Sequence, residues 1–182
     1  MQTGRNTILR SSSIVIAGLC ACVLATAGAV SASHSLNAQD KNFLRFAATT
    51  DMTEAHEGQL AQTSASSQNV KDFGHKLAQD FSNSYGRLLQ IAQTAGEAIP
   101  RGIDVRQDRN ISRLDHLRGR AFDAQFVRDQ IREDQATIPV FRREAEHGQD
   151  PALRTWAQQA LATVENDLMQ ARQLARAENS RT

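Results

Sequence analysis

Glu54, Glu57, Asp134 and Asp167 are acids written where helical periodicity calls for apolar side chains. The stretch Ala121 to His147 shows this best. Phe122, Phe126, Ile131, Ile138 and Phe141 recur mostly three to five residues apart, which makes one stripe on a long helix, and Asp134 falls on that stripe. An acid on a buried helix face costs energy unless it is paired, protonated or bound to a cation. Carboxylates converging at mid-height of a helical bundle are also how such bundles hold metals. Oxygen ligands suit manganese, iron, magnesium or calcium rather than a soft thiolate metal. The candidate ligands are therefore Glu54, Asp134 and Asp167, with His56 and Glu57 within a turn of Glu54. Two rival readings need no metal. The carboxyls could share protons as a cluster, or Asp134 and Asp167 could sit at the stripe's edge and pair with Arg128, Arg132 or Arg172.

Four long helices must position these residues. The first is expected over 40–66, with Phe43, Phe46, Ala47, Leu60 and Ala61 on one face and Thr50, Glu54 and Glu57 between them. The polar run TSASSQ (63–68) breaks it, and Ser67 is the expected N-cap of a second helix over 67–95. Val70, Phe73, Leu77, Phe81, Leu88 and Ala92 form that helix's stripe, and Gly96 and Pro100 end it. A longer connection, 101–120, holds a short helix around Ile111 to Leu117 and is long enough for a crossover. The third helix spans 121–147, with Pro139 inside it predicting a bend near Gln135. After Gly148, Asp150-Pro151 reads as N-cap and first position of a fourth helix over 151–178. Its expected buried residues are Leu153, Trp156, Ala160, Leu161, Val164, Leu168, Ala171 and Leu174. At 1.5 Å per residue each helix is about 40 Å long. Links this short make antiparallel neighbours. With no strand pattern, the fold class is an all-α, antiparallel four-helix bundle with a longer connection between the second and third long helices. Glu54, Phe81, Asp134 and Asp167 are the stripe residues nearest the four midpoints.

The remaining motifs carry less. Glu144-Ala145-Glu146-His147 has the spacing of one di-iron Glu-x-x-His pair, but its histidine sits at a helix end, where a cation meets the helix dipole. His75 falls on an exposed face, and His116 in the connection. The phenylalanines at 43, 46, 73, 122, 126 and 141, with Trp156, are core rather than an aromatic cage, and Arg142-Arg143 is a solvated face. There is no nucleophile elbow, phosphate loop or nucleotide fingerprint, so the sequence leans away from an enzyme.

Residues 1–32 read as a secretory signal: Arg5 and Arg10, an apolar run from Ile14 to Val30, then small residues before a cleavage point after Ala32. An uncleaved anchor, or a lipoprotein signal ahead of Cys22, are the alternatives. Residues 33–39 are a linker, 40–178 the bundle and 179–182 a tail. Both cysteines, Cys20 and Cys22, lie in the signal, so the bundle has no disulfide or thiolate site. Of the 21 basic residues, removing Arg5 and Arg10 leaves 19 against 20 acids, a net −1. That balance argues against nucleic acid and anionic lipid as partners. Membrane association is expected only if the N-terminal segment is uncleaved or lipidated.

Several of these segments together resemble a bacterial family of exported proteins, the domain of unknown function numbered forty-one forty-two, regarded as ferritin-like four-helix bundles. FLRFAATTDMTEAHEGQLA is similar to its opening helix, NVKDFGHKLAQDF to its second, FDAQFVRDQIREDQATIPVF to its Phe-Asp segment, and DPALRTWAQQALATVENDL to its last helix. The likeness runs from about Asp40 to Leu174. Glu54, Asp80 and the Phe122-Asp123 pair match the family pattern, whereas Phe81, Asp134 and Asp167 stand where the pattern has histidines. A role for those histidines does not transfer to Phe81, which has no donor atom; at Asp134 and Asp167 a ligand role survives with altered metal preference. The resemblance implies a fold and a periplasmic or secreted address, not an activity. The functional expectation is a non-enzymatic exported bundle that binds a partner protein or small ligand in envelope or stress physiology. The alternatives are a metal-binding, redox-capable ferritin-like protein using the acid layer, and a signal-anchored interaction module.

Overall fold

The structure is a computed structural model that describes residues 35–103 and 108–180. The signal, the anchor or lipid alternatives, both cysteines and the end of the tail lie outside the described residues. Among the described residues there are five helices: α1 (Ala38–Ser64), α2 (Gln68–Ala95), the short α3 (Arg109–Asp115), α4 (Gly119–His147) and α5 (Pro151–Asn179). Among the described residues there is no strand, and no helix is long and apolar enough to cross a membrane.

Pairs of touching residues fix the directions. Gly58 meets Ala78 while Ala61 meets Gly74 across α1 and α2, and Arg142 meets Glu165 while Ala145 meets Gln158 across α4 and α5. Both hairpins are antiparallel. Phe43 packs on Phe141, and Glu57 on Gln130, so α1 and α4 are antiparallel neighbours too. Lys76 with Asp167, and Trp156 with Ser84, make α2 and α5 the fourth antiparallel pair. The parallel helices α2 and α4 are then diagonal, so the connection carrying α3 must return along the bundle's length. That single long crossover is the ferritin-like arrangement.

Two buried aspartates hold the short links. Asp123, near the start of α4, accepts from the backbone N–H of Ser66 (3.0 Å) and of Ser67 (2.9 Å) in the α1–α2 link. Asp40, near the start of α1, accepts from the N–H of Gln149 (3.1 Å) and of Asp150 (3.0 Å) in the α4–α5 link. Ser67 is the N-cap residue of α2, but its own side chain makes no cap bond; Asp123 holds the N–H groups of Ser66 and Ser67 just ahead of the helix. Each hairpin thus clamps the turn of the other.

This reciprocity follows from a repeat that pattern-reading along single helices missed. Residues 83 apart play the same part in the two hairpins: Asp40 and Asp123, Phe43 and Phe126, Leu44 and Val127, Asp51 and Asp134, Ser67 and Asp150, Phe73 and Trp156, Ser84 and Asp167. All except the two N-cap residues are buried in both halves.

The apolar core follows the expected stripes, and Phe122, Phe126, Phe141 and Leu153 are fully buried. Phe46 departs from expectation. It lies on the solvent side of α1, 40% exposed, with only its edge on Phe141. Helix α4 is assigned as one continuous helix through the exposed Pro139. Gly96 ends α2 in the left-handed region (φ 69°), which glycine adopts without strain.

The backbones of α1 and α2 come close at Gly58, where a β-carbon would lie 2.5 Å from the Gly74 carbonyl oxygen and 2.7 Å from the Ala78 nitrogen. Backbone cannot yield as a side chain can. Gly58→Ala should therefore destabilise the bundle by about 1–3 kcal/mol in urea denaturation, despite alanine's better helix propensity. Gly86→Ala on the same hairpin meets nothing within 4 Å. It should stabilise by about 0.5–1 kcal/mol.

Candidate functional site

Helix α1 brings Glu54 and Glu57 to the α4-facing side of the bundle, and α4 answers with Gln130, Glu133 and Asp134. Glu54 and Glu57 are three apart, hence on one helix face, as are Gln130, Glu133 and Asp134. Glu54, Glu57 and Glu133 each offer an oxygen, and these atoms all lie within 4.8 Å of one another. Glu54 is 3% exposed, and Glu57 and Gln130 are 0% exposed. The Gln130 amide donates to Glu57 Oε2 at 2.9 Å. Among the described residues nothing donates to Glu54 Oε2 or Glu57 Oε1, and the Gln130 carbonyl oxygen is also without a partner.

Helix α3 lies over this cluster like a strap. Asn110 donates to Glu133 Oε1 at 2.5 Å, and Arg132 reaches the same oxygen at 3.1 Å. Asp129, one turn before Glu133, is as buried as Glu57 but fully engaged by Arg113, Arg132 and Gln125. The contrast separates a carboxylate the protein has satisfied from Glu54 and Glu57, each left with a buried oxygen that nothing donates to. Burial pushes the Glu54 carboxyl well above its ordinary range, and the charges of Glu57, Glu133 and Asp134 push it further, against the opposing bond to Gln130. Glu57 is raised well above the ordinary range by burial and by Glu133, Asp108 and Asp129.

A surface cleft of about 240 Å³ reaches the cluster from solvent between α1 and α4. Phe46, Thr49, Thr53 and Ala136 line it, and Glu54 and Glu133 stand in its wall. Exposed Phe46, a misfit in a core stripe, is part of this opening.

Asp134 and Asp167 form a second polar group, between α2, α4 and α5. Lys76 donates to Asp167 Oδ1 at 2.6 Å and to Asp80 Oδ2 at 2.8 Å. Burial alone would lower the Lys76 pKa, but these two acids raise it overall. Asp134 is pushed up to about 8 by burial and by the charges of Asp167 and Glu133, with Lys76 opposing. Burial raises Asp167 as well, again against Lys76. The arginine pairing expected of these aspartates does not occur. Arg132 goes to Asp129 and Glu133, Arg128 to Gln125, and Arg172 comes within reach of the Gln135 amide instead. Lys76 of α2 bonds Asp167 in their place, and Asp134 Oδ2 has no hydrogen-bond partner among the described residues.

Of the sequence-predicted residues, the structure therefore brings Glu54 and Glu57 together, adds Glu133, and sets Asp134 and Asp167 one layer across. His56 does not join either group; it turns to a cleft between α1 and α2. His147 is exposed beside Glu146, while Glu144 is buried, raised to about 7 chiefly by burial, and takes only a 3.3 Å bond from Gln39. Glu133 and Gln130 were missed because their contributions depend on α3 and α1, which no spacing within α4 reveals. Asp123, matched through the family pattern, is a turn clamp.

Comparison with known proteins bears on the fold. The family model described as Domain of unknown function (DUF4142) matches residues 25–174. The chain belongs to this family. A DUF4142 assignment carries no biochemical activity. A crystal structure of a DUF305 fragment from Deinococcus radiodurans is similar in fold, with a TM-score of 0.69 at 13% identity over 78% of this chain and 99% of that one. No curated protein matches.

The raised carboxyls make stability depend on pH. A carboxyl whose folded pKa exceeds its unfolded value of about 4 contributes stability that is fully present below that value. The contribution is lost as pH rises through the folded pKa, which for Asp134 is about 8. In chelator, the melting temperature should fall between pH 5 and pH 8.5. Asp134→Asn should lessen that fall, each 1 kcal/mol corresponding to about 2–4 °C. A scan by circular dichroism reads both.

Proposed function

We propose that this protein is an exported helical bundle that binds a divalent cation, with Glu54 and Glu57 of α1 and Glu133 of α4 as ligands. The observation that carries the reading is the convergence of these three carboxylates within 4.8 Å, two of them buried, beside Gln130, whose amide bonds Glu57 and whose carbonyl is unpartnered. Three negative charges held this close repel one another, and removal from water deepens the cost. A divalent cation removes both penalties at once. The all-oxygen donor set favours manganese, iron(II), magnesium or calcium, as expected from the residue types. The cleft past Phe46 and Thr53 supplies the access path that a metal site needs. Asn110 and Arg132 both bond Glu133 Oε1, fixing that side chain from outside as supporting residues do around metal ligands.

The site has moved by one layer from the set read along the sequence. Asp134 and Asp167 lie outside the convergence of three carboxylates, and Asp167 gives an oxygen to Lys76, so they are not ligands in this proposal. Export rests on the residues of the N-terminal segment, with its positive start, apolar run and small-residue end. The reading is one of binding, and assigns no reaction.

Mass action makes the test direct, because a ligand bound only by the folded state stabilises it by about 2.7 kcal/mol at one hundred times its dissociation constant. Melting at pH 7.5 should shift upward with added Mn²⁺ or Ca²⁺ and return with EDTA. Glu57→Gln with Glu133→Gln should abolish the shift, whereas Asp167→Asn should leave it. Melting indifferent to both cations, or a shift that survives the double substitution, would reject the assignment.

A further inference from the structure

The two turn clamps, far from the cation site, are not built alike. At the Asp123 clamp the chain places Phe122, Ala61 and Ala65, all buried and apolar. The positions 83 residues away, at the Asp40 clamp, hold Gln39, Glu144 and Gly148. The backbone is the same in both, since Ala65 N–H donates to the Ala61 carbonyl and Gly148 N–H to the Glu144 carbonyl. The second turn therefore carries a carboxyl where the first has a methyl group. It also lacks a methyl group where the carboxyl needs room, because a β-carbon on Gly148 would lie 2.6 Å from Glu144 Oε1. Ser66 gives Asp123 a hydroxyl donor besides its N–H, whereas its counterpart Gln149 gives Asp40 the N–H alone.

Glu144 is 2% exposed, and its Oε1 has no hydrogen-bond partner among the described residues. Its acidic neighbours are Asp40 of α1 and Asp150 of the turn. The bases nearby turn elsewhere: Lys41 to Glu97 at 2.6 Å, Arg154 of α5 to the Gly148 carbonyl at 3.3 Å, and His147 to Glu146 at 3.7 Å. Burial raises the Glu144 carboxyl most; the Gln39 amide opposes this, and the Asp40 and Asp150 charges add to it, leaving it at about 7. In its protonated form Glu144 is a donor, with Asp40 as its side-chain partner.

We propose that Glu144 makes the α4–α5 turn a proton-held latch, closed onto the start of α1 through Asp40 and opened when Glu144 gives up its proton. While the proton is present, Glu144 bridges to Asp40, and Asp40 holds the N–H groups of Gln149 and Asp150. Once it is lost, two like charges face each other out of water, and the turn and the first turn of α1 part. The stabilisation is present below the ordinary carboxyl value of 4.5 and is lost as pH rises through about 7. The first turn, with Ala61 in the equivalent place, has no such response.

The test follows amide hydrogen exchange in EDTA at pH 5.5 and pH 8.0, each rate corrected for the intrinsic rate at that pH. Protection of the Gln149 and Asp150 N–H groups should fall by about tenfold or more between the two. The Ser66 and Ser67 N–H groups, held by Asp123, should change by less than about twofold. Glu144→Gln keeps the shape but cannot ionise, and should leave Gln149 and Asp150 as indifferent to pH as Ser66 and Ser67. In the unaltered protein the carbon-13 shift of the Glu144 side-chain carboxyl should titrate at about pH 7, a readout that needs no variant to fold. Equal loss of protection at both turns, no loss at either, or a loss that survives Glu144→Gln would overturn the latch. So would a Glu144 carboxyl that titrates at its ordinary value.

Discussion

A carboxylate taken out of water must be given donors, a proton or a cation, and this bundle places at least six of them under that demand. Asp40 and Asp123 are answered by backbone N–H groups, Asp129 by two arginines, and Asp167 by Lys76. These are structural solutions, and they explain why the links, the α3 strap and the α2–α5 seam sit where they do. Glu54 and Glu57 are the cases the fold leaves open: Gln130 donates to one Glu57 oxygen, and the other Glu57 oxygen and Glu54 Oε2 have no donor among the described residues. The distinction between answered and unanswered acids separates scaffold from site better than burial alone.

The scaffold is a pair of similar hairpins, each locking the other's turn with an aspartate. Function-bearing differences then appear as departures from that repeat. Glu57 and Glu133 have Val140 and Thr50 as counterparts 83 residues away, so the acid cluster exists on one side only. The same comparison sets Lys76 against Gln159 and Asp167 against Ser84. A near-symmetric frame with polar residues varied on one side allows two different polar sites at mid-height without disturbing the apolar layers above and below.

Much of this was legible along the chain. The stripes of Phe, Leu and Val located the long helices to within about two residues at each end, and Asp150-Pro151 and Gly96 marked their limits. Glu54 and Glu57 were recognisable because an acid three positions from another, on a face bounded by Phe43 and Ala61, violates its own stripe. What periodicity cannot reveal is which acids meet across helices. Asp134 and Glu133 are adjacent in sequence, yet one turns to Lys76 and Asp167 and the other to Glu57 and Asn110. Phe46 looked like core because its spacing fits, but the stripe is wider than the contact α4 offers.

The most direct examination of the central claim is an anomalous difference map from crystals grown with Mn²⁺. The account predicts one peak among Glu54, Glu57 and Glu133, with carboxylate oxygens at about 2.0–2.6 Å. A map with no peak there, or with manganese between Asp134 and Asp167 in place of the Lys76 ammonium, would contradict it.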